Sequence, residues 1–400
     1  MKIMFCAAPG YGLMLPLVPL VWAARAAGHE ILLATTSEMA EVGARAGLPV
    51  IDVFPARDVW AELMGKVGPG NTPPADEDLS EEEKLVAGSG NPFGVFTLTM
   101  TEGTLAAARA FGAELIVTTS DHAAGALAAI ALDIPVLEVG NRVSWSMRDE
   151  DWRREHSNFA TDDPLSRHLA EKLSFTAGPA KVLARIDPRA PSMGGMTAGE
   201  ETDPRDGAPW WPMRYVPFNG GAVAPPWVFE RPERPRVCVT LGTVVPFLSG
   251  TSNLTIVIEA LGQLDVEVIL AAGAADLSAL GTLPANVRPA GFVPLSMFLP
   301  SCALIVHHGG SGTTAAPLYY GVPQLVLPAF ADNFLSADRV AERGVGLRCD
   351  AAETDVATMR SLLERLLTEP AFAEAAAAVR DEMATQPSPA EILEKAVALV

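Results

Sequence analysis

The 400-residue chain is 49% hydrophobic and 19% charged, enough apolar material for two cores of ordinary size in a soluble globular protein. Its 48 acidic residues outnumber 29 basic ones, giving a formal net charge of −19, which argues against nucleic acid or an anionic membrane as partner. A negatively charged substrate must then be held by local donors rather than by the general field.

The run from Ile3 to Ala24 carries no charged side chain and follows Lys2, which gives it the look of a signal peptide or membrane span. Pro9, Gly10, Gly12, Pro16 and Pro19 divide it instead into a short strand (KIMFCAA), a loop, and a helix reaching Gly28 with Arg25 on its polar face. With ILLATT as the next strand, the opening is a βαβ unit. The alternation continues: a helix over Ser37 to Ala46, a strand over Pro49 to Val53, a helix near Phe96 to Phe111, the strand ELIVTT, a helix over Ala123 to Leu132, and the strand IPVLEV. Two insertions interrupt this half. Gly65 to Pro92, with its acidic run DEDLSEEEK, reads as a mobile loop, and Arg148 to Leu173 as an amphipathic helix plus loop, either solvated or lining a pocket.

From Gly207 to Pro235 the composition turns to Pro, Gly and Trp and periodicity is lost, marking a domain boundary. PRVCVTLGT then repeats the pattern of KIMFCAAPG, and VEVILAAG, VRPAGFV, ALIVHH, QLVLP and VGLRC follow as strands. The expected fold class is α/β, with two Rossmann-like domains facing across a cleft: residues 1–217, residues 218–386, and a C-terminal helix over 387–400 that starts after the breaks at Pro387 and Pro389. The four cysteines, Cys6, Cys238, Cys302 and Cys349, form no CxxC pair and read as buried free thiols in a reducing cytoplasm.

The densest motif is Ala303 to Asn333, ALIVHHGGSGTTAAPLYYGVPQLVLPAFADN. A buried strand breaks on Gly309-Gly310-Ser311-Gly312 and restarts as a helix, with Thr313 expected as its N-cap. Such a turn aims unpaired backbone N–H groups at one point, where the helix dipole adds about half a positive charge. That point suits a phosphate, with His308 on its rim. No Lys follows the last glycine, so it is not a P-loop, and it is not GxGxxG.

HHGGSGTT followed by GVPQLVLP and ADN resembles the nucleotide-sugar-dependent glycosyltransferases of the GT-B fold, particularly the actinobacterial enzymes that attach deoxysugars to macrolides, aromatic polyketides and enediynes; MRYVPFNGG resembles their linker. The resemblance covers essentially the whole chain. It implies that His308 and the turn of Gly310, Ser311, Gly312 and Thr313 hold the diphosphate, with Thr243 reaching the second phosphate. It also implies that Phe292 lies under the nucleobase with Val293 offering backbone hydrogen bonds, that Asp332 and Asn333 bind sugar hydroxyls, and that the last helix crosses back to the first domain.

Two departures carry information. Where relatives using UDP-sugars place a ribose-binding Glu, this chain has Ala316, which fits a dTDP donor lacking the 2′-hydroxyl. Where the usual loop reads GHxxP and its His deprotonates the acceptor, this chain reads GLMLP, with Leu13 in that place. General-base catalysis contributes about 10²–10⁴-fold, so a substitute is expected. Asp121 and His122, after ELIVTT, are the candidates, with His122 favoured as a group titrating near neutrality; the alternative makes Asp121 a helix N-cap and His122 a surface residue.

The implied activity is an inverting transfer of a deoxysugar from a dTDP-sugar to a hydroxyl of a bulky apolar natural product by a metal-independent cytoplasmic enzyme. No cofactor or metal is expected beyond the dTDP-sugar co-substrate, for want of a DxD motif in a suitable loop. A homodimer and an auxiliary activator protein are left open by the resemblance. Two rival classes keep the same architecture: a nucleotide-sugar epimerase, and a non-catalytic binding partner, which Leu13 favours.

Overall fold

The computed structural model describes residues 1–67, 79–89, 93–151, 163–197, 201–240, 242, 252–273, 277–329, 332–350 and 355–400. In the first half, strands β1 (Lys2–Cys6), β2 (Glu30–Thr35), β3 (Val50–Asp52), β4 (Leu115–Thr119), β5 (Val136–Val139), β6 (Val182–Asp187), β7 (Glu201–Thr202) and β8 (Pro209–Pro212) form one sheet in the order β3-β2-β1-β4-β5-β6-β8-β7. Among the described residues only the β7–β8 pair of this sheet is antiparallel. The apolar run Ile3–Cys6 forms the middle of this sheet because helices cover both faces. Its side chains alternate between them: Ile3 and Phe5 pack with Leu17, Leu20 and Val21, while Met4 and Cys6 pack with Phe96, Met100 and Ala128.

The second half forms a wholly parallel sheet of β9 (Arg236–Thr240), β10 (Glu267–Leu270), β11 (Val287–Pro289), β12 (Cys302–His307), β13 (Gln324–Val326) and β14 (Gly346–Arg348), in the order β11-β10-β9-β12-β13-β14. In each sheet the order of strand addition reverses beside its first strand, between β1 and β4 and between β9 and β12. Ligand crevices open at the carboxyl ends of such strands. The segments that follow those strands carry Leu13, in the short helix Tyr11–Met14, and Asp121 in one domain, and Gly242 and His308 in the other.

The last helix, Pro389–Val397, opens with a Ser388–Glu391 capping box and buries Ile392, Leu393 and Ala396 in the first domain's core. Before it, the helix Pro370–Thr385 packs Ala376, Val379 and Met383 into a cluster that also holds Val143, Ala190 and Met193 of the first domain. Polar ties flank this contact: Gln386 Nε2 donates to Arg189 O at 2.8 Å, Arg343 Nε to Ser192 Oγ at 2.7 Å, and the Ser192 N–H to Glu382 Oε2 at 2.9 Å.

Several expectations change. The acidic run is not a loop throughout, since Ser80 and Glu83 form a capping box that starts a helix over Glu81–Gly88; residues 68–78 and 90–92 lie outside the described residues. Asp163 caps the helix Pro164–Lys172, while 152–162 also lie outside them. The first sheet runs on past IPVLEV into VLARID and PWWP, so the stretch from Gly207 read as linker still belongs to it as far as Pro212. The charges in VLARID are consumed internally: Arg185 pairs with Glu138 at 2.6 Å and Asp206 at 2.7 Å, and Asp187 with Arg189 at 2.8 Å and Arg148 at 3.1 Å. Among the described residues no helix is long and apolar enough to cross a membrane, and the four cysteines are free, with Cys302 only partly buried.

Candidate active site

The turn after β12 is built by its two histidines in different ways. His307 accepts the Gly309 N–H on Nδ1 at 3.0 Å and donates from Nε2 to Gln324 Oε1 at 2.7 Å, while Gln324 Nε2 donates to Thr314 O at 3.3 Å. Full burial, with His308 adding to it, lowers its pKa to about 3. This ring staples the turn and has no free nitrogen for a ligand.

His308 is different. It is 7% exposed, its Nδ1 has no partner, and burial lowers its pKa to about 4. Two glycines clamp its ring: a Cβ at Gly242 would lie 2.4 Å from its Cε1, and one at Gly310 would lie 2.4 Å from its Nε2. Any side chain at either place would move the imidazole.

The helix Ser311–Tyr320 starts directly after it. Its N-cap is Gly310, with extended backbone and no side-chain cap, so Thr313 sits within the first turn and is not the expected cap. Thr314 Oγ1 instead bonds back to Gly310 O at 3.0 Å. The first-turn N–H groups of Ser311, Gly312 and Thr313 have no carbonyl ahead of them in the helix. Ser311 Oγ is buried without a partner, and so is Asn333 Nδ2. Asn333 starts the helix Asn333–Arg343, whose backbone lies against the turn: a Cβ at Gly309 would meet Asn333 O at 2.8 Å. An imidazole nitrogen, a hydroxyl, an amide and a helix N-terminus thus leave polar capacity unspent around one turn, the donor set an anionic ester requires.

At the domain junction Phe292 is 46% exposed and its ring edge lies against the linker, where a Cβ at Gly220 would come within 2.9 Å of Cζ. Val293 places its side chain in the core with Phe298 and Ile305, leaving only its backbone for a ligand. Ala316 is fully buried in the same cluster. Thr243 lies outside the described residues.

Across the cleft, Asp121 is completely buried. Arg142 Nη2 donates to its Oδ1 at 3.0 Å, and Asn141 Nδ2 donates both to its Oδ2 and, at 3.3 Å, to the Leu13 carbonyl. Burial raises the Asp121 pKa, against the pull of Arg142 and Asn141. Arg142 also brings Nε to 3.1 Å from Asp332 Oδ2, so one guanidinium bridges a carboxylate from each domain. Its Cζ lies 5.6 Å from the Trp145 ring and 5.8 Å from that of Phe93.

His122 departs from its expected behaviour. It is 3% exposed, neither ring nitrogen meets a hydrogen-bond partner in another residue, and burial lowers its pKa to about 4, not near neutrality. The reason is loss of water with no compensating charge, because the adjacent Asp121 spends its carboxylate on Arg142 and Asn141. Nor does Asp121 cap the following helix, whose N-cap is Ala123.

Asn141 and Arg142 were not singled out from the sequence, although they stand directly after β5, at a carboxyl strand end. They line a small, water-sized pocket together with Trp145, Met147 and Trp210. Those three apolar side chains are buried and cluster with Met196.

Residues 22–242 match the family described as erythromycin biosynthesis protein CIII-like, N-terminal domain, and residues 255–399 its C-terminal domain. Elloramycin glycosyltransferase ElmGT of Streptomyces olivaceus is 36% identical over 412 residues, spanning 98% of this chain and 96% of that protein. Among solved structures, the glycosyltransferase SnogD from Streptomyces nogalater superposes with a TM-score of 0.80 at 32% identity, covering 100% of this chain and 99% of the other. The glycosyltransferase SsfS6 of Streptomyces sp. SF2575, complexed with thymidine diphosphate, gives 0.77 at 31% identity, with 100% of both chains covered. The architecture is that of these GT-B enzymes, and the chain belongs to the EryCIII-like family of glycosyltransferases.

Proposed function

We propose that the chain transfers a deoxysugar, with inversion, from a dTDP-sugar to a hydroxyl of a bulky apolar polyketide-type aglycone. The observation that carries this reading is the turn at His308. A clamped imidazole with an unpartnered Nδ1, the buried Ser311 hydroxyl and a helix N-terminus surround one place where a diphosphate would fit. The thymidine diphosphate complex of SsfS6 supports the choice of nucleotide, as does the lack of a carboxylate at Ala316.

In this reading the sugar lies against Asp332 and Asn333 on the donor side, and the aglycone approaches from the first domain's side of the cleft. The acceptor oxygen attacks the anomeric carbon from the first domain's side, and its proton passes to solvent. The bond to the β-phosphate oxygen breaks, and its electron pair stays on the diphosphate, where the imidazole and the helix N-terminus meet the developing charge without a metal. An anion beside His308 would raise its pKa from the lowered value of the free site and so strengthen its hydrogen bond. Relatives named as transferases favour transfer over epimerisation or passive binding. A cytoplasmic location is part of the proposal, while the sugar's identity and any homodimer or activator protein stay outside it.

Calorimetric titration with dTDP tests the reading. His308→Ala is expected to weaken binding by about 1.5–3 kcal/mol, through loss of one charge-assisted hydrogen bond, and to lower turnover while leaving the melting temperature in place. Unchanged affinity and rate would remove His308 from the site.

A further inference from the structure

The segment that joins the domains passes beside the diphosphate turn. After β8 it is pinned at once, the Met213 N–H donating to Asp187 O at 3.1 Å and the Arg214 N–H to Pro387 O at 2.8 Å. Tyr215 comes next, and by Gly220 the segment has reached Phe292, where a Cβ at Gly220 would meet the ring at 2.9 Å.

Tyr215 is 4% exposed and clusters with Ala315 and Leu318 of the helix Ser311–Tyr320 and with Val143, Ala190 and Met193 of the first domain. Gly312, Ala315 and Leu318 form one row of that helix at a spacing of three. The hydroxyl comes at the first-turn end of the row: a Cβ at Gly312 would lie 3.8 Å from it. That oxygen hydrogen-bonds to no described residue, yet it is not sealed from solvent. A hydroxyl at the end of a buried ring calls for a partner. Beside it stand the first-turn N–H groups of Ser311, Gly312 and Thr313, the place already assigned to an anion. Burial, with Tyr320 adding to it, raises the Tyr215 pKa, so the group keeps its proton and can donate it in a hydrogen bond.

Position decides which phosphate it meets. Tyr215 stands where the helix faces the first domain, in one cluster with Val143. Arg142, the residue before Val143, reaches Asp332 at 3.1 Å, and Asp332 is assigned to the sugar. Phe292, assigned to the nucleobase, lies at the far end of the joining segment. The phosphate on the Tyr215 side is therefore the one that carries the sugar, which is the terminal phosphate of dTDP.

We propose that Tyr215 is a further donor-site residue, its hydroxyl donating a hydrogen bond to the sugar-bearing phosphate and holding that phosphate as it leaves. This rests on the transferase reading above. No proton changes hands. As the bond from the anomeric carbon breaks, its electron pair stays on the phosphate oxygen, and the Tyr215 O–H, still on tyrosine, binds the added charge more strongly. The joining segment thus contributes a contact to the reaction as well as a connection between domains.

The test uses the full chain and Tyr215→Phe, which removes one oxygen and keeps the ring, so the melting temperature should hold. Calorimetric titration compares dTDP with dTMP, which lacks the terminal phosphate. Binding of dTDP should weaken by about 10- to 150-fold, the range of a hydrogen bond to a charged group, while dTMP binding stays as in the parent. With a panel of dTDP-deoxysugars and an aromatic aglycone, kcat/KM for the donor should fall by at least the same factor, and KM for the aglycone should not move. Parent-like dTDP affinity in Tyr215→Phe, beside a loss in His308→Ala, overturns the proposal and leaves the transferase reading standing. An equal loss on dTMP, or a fall in melting temperature with both ligands affected alike, overturns it in the same way. A parent chain that binds no dTDP overturns both.

Discussion

Gly310→Ala offers a sharp test of how the diphosphate turn is built. Gly310 has φ −62 and ψ 145, an extended conformation open to any residue, so the substitution carries no backbone strain. Its cost comes from one contact: the new methyl would lie 2.4 Å from His308 Nε2 and 3.1 Å from Cε1, where ordinary packing needs about 3.5 Å or more. The ring must therefore shift by roughly 1 Å, a displacement of the overpacking kind that costs about 1–3 kcal/mol. A shift of that size takes the imidazole out of hydrogen-bonding range of a diphosphate, and losing a charge-assisted bond weakens binding by about 1.5–3 kcal/mol, or roughly 10- to 150-fold. Calorimetric titration of dTDP into the parent protein, both single variants and the Gly310→Ala/His308→Ala double variant completes the cycle. The methyl should harm binding only while the ring is present, so in the His308→Ala background it should add nothing. Parent-like affinity in Gly310→Ala, or an equal further loss in the double variant, would refute the reasoning.

Three further outcomes follow from the same geometry. His122, His307 and His308 fall from 6.5 to about 4, 3 and 4 on folding, so below pH 6.5 the unfolded chain takes up protons first; stability is fully present above that pH and falls towards pH 4, by up to about 3 kcal/mol per imidazole, with the raised Asp121 acting in the opposite sense. Urea unfolding at pH 7.5 and 5 measures this, and equal stabilities would contradict the burial of these rings. Leu393→Ala, at a fully buried position of the last helix, should cost about 2–5 kcal/mol in the same assay; a loss under half a kilocalorie would mean that the helix does not complete the first core. Asp332→Asn should keep dTDP affinity but lower kcat/KM for the dTDP-sugar at least tenfold, since the residue is assigned to the sugar and not to the nucleotide; a matching loss in dTDP binding would reassign it.

Much of the fold could be read in advance because its central strands are apolar on both faces. KIMFC, LIVTT and CALIVH are strands in the structure, and the glycine turn announces the donor side in one contiguous stretch. VLARID escaped notice because Arg185 and Asp187 look like surface charges until Glu138, Asp206, Arg189 and Arg148 are brought to them by the fold. PWWP was hidden by its prolines, which an edge region tolerates. The helix start at Ser311 depends on Gly310 taking extended backbone against the His308 ring, a tertiary contact. The acceptor side was least legible. Arg142 acquires meaning only when Asp121 and Asp332, from separate domains, meet on it, and the depressed basicity of His122 comes from burial that no single position reveals.

The central claim is inverting glycosyl transfer from a dTDP-sugar held at the His308 turn, and product analysis tests it most directly. The full chain, incubated with a panel of dTDP-deoxysugars and an aromatic polyketide aglycone, should yield free dTDP and one glycosylated product. The anomeric configuration of that product by NMR should be opposite to that of the donor, and the reaction should be lost in His308→Ala. A product of retained configuration, or a donor converted to its epimer with the aglycone untouched, would contradict the account.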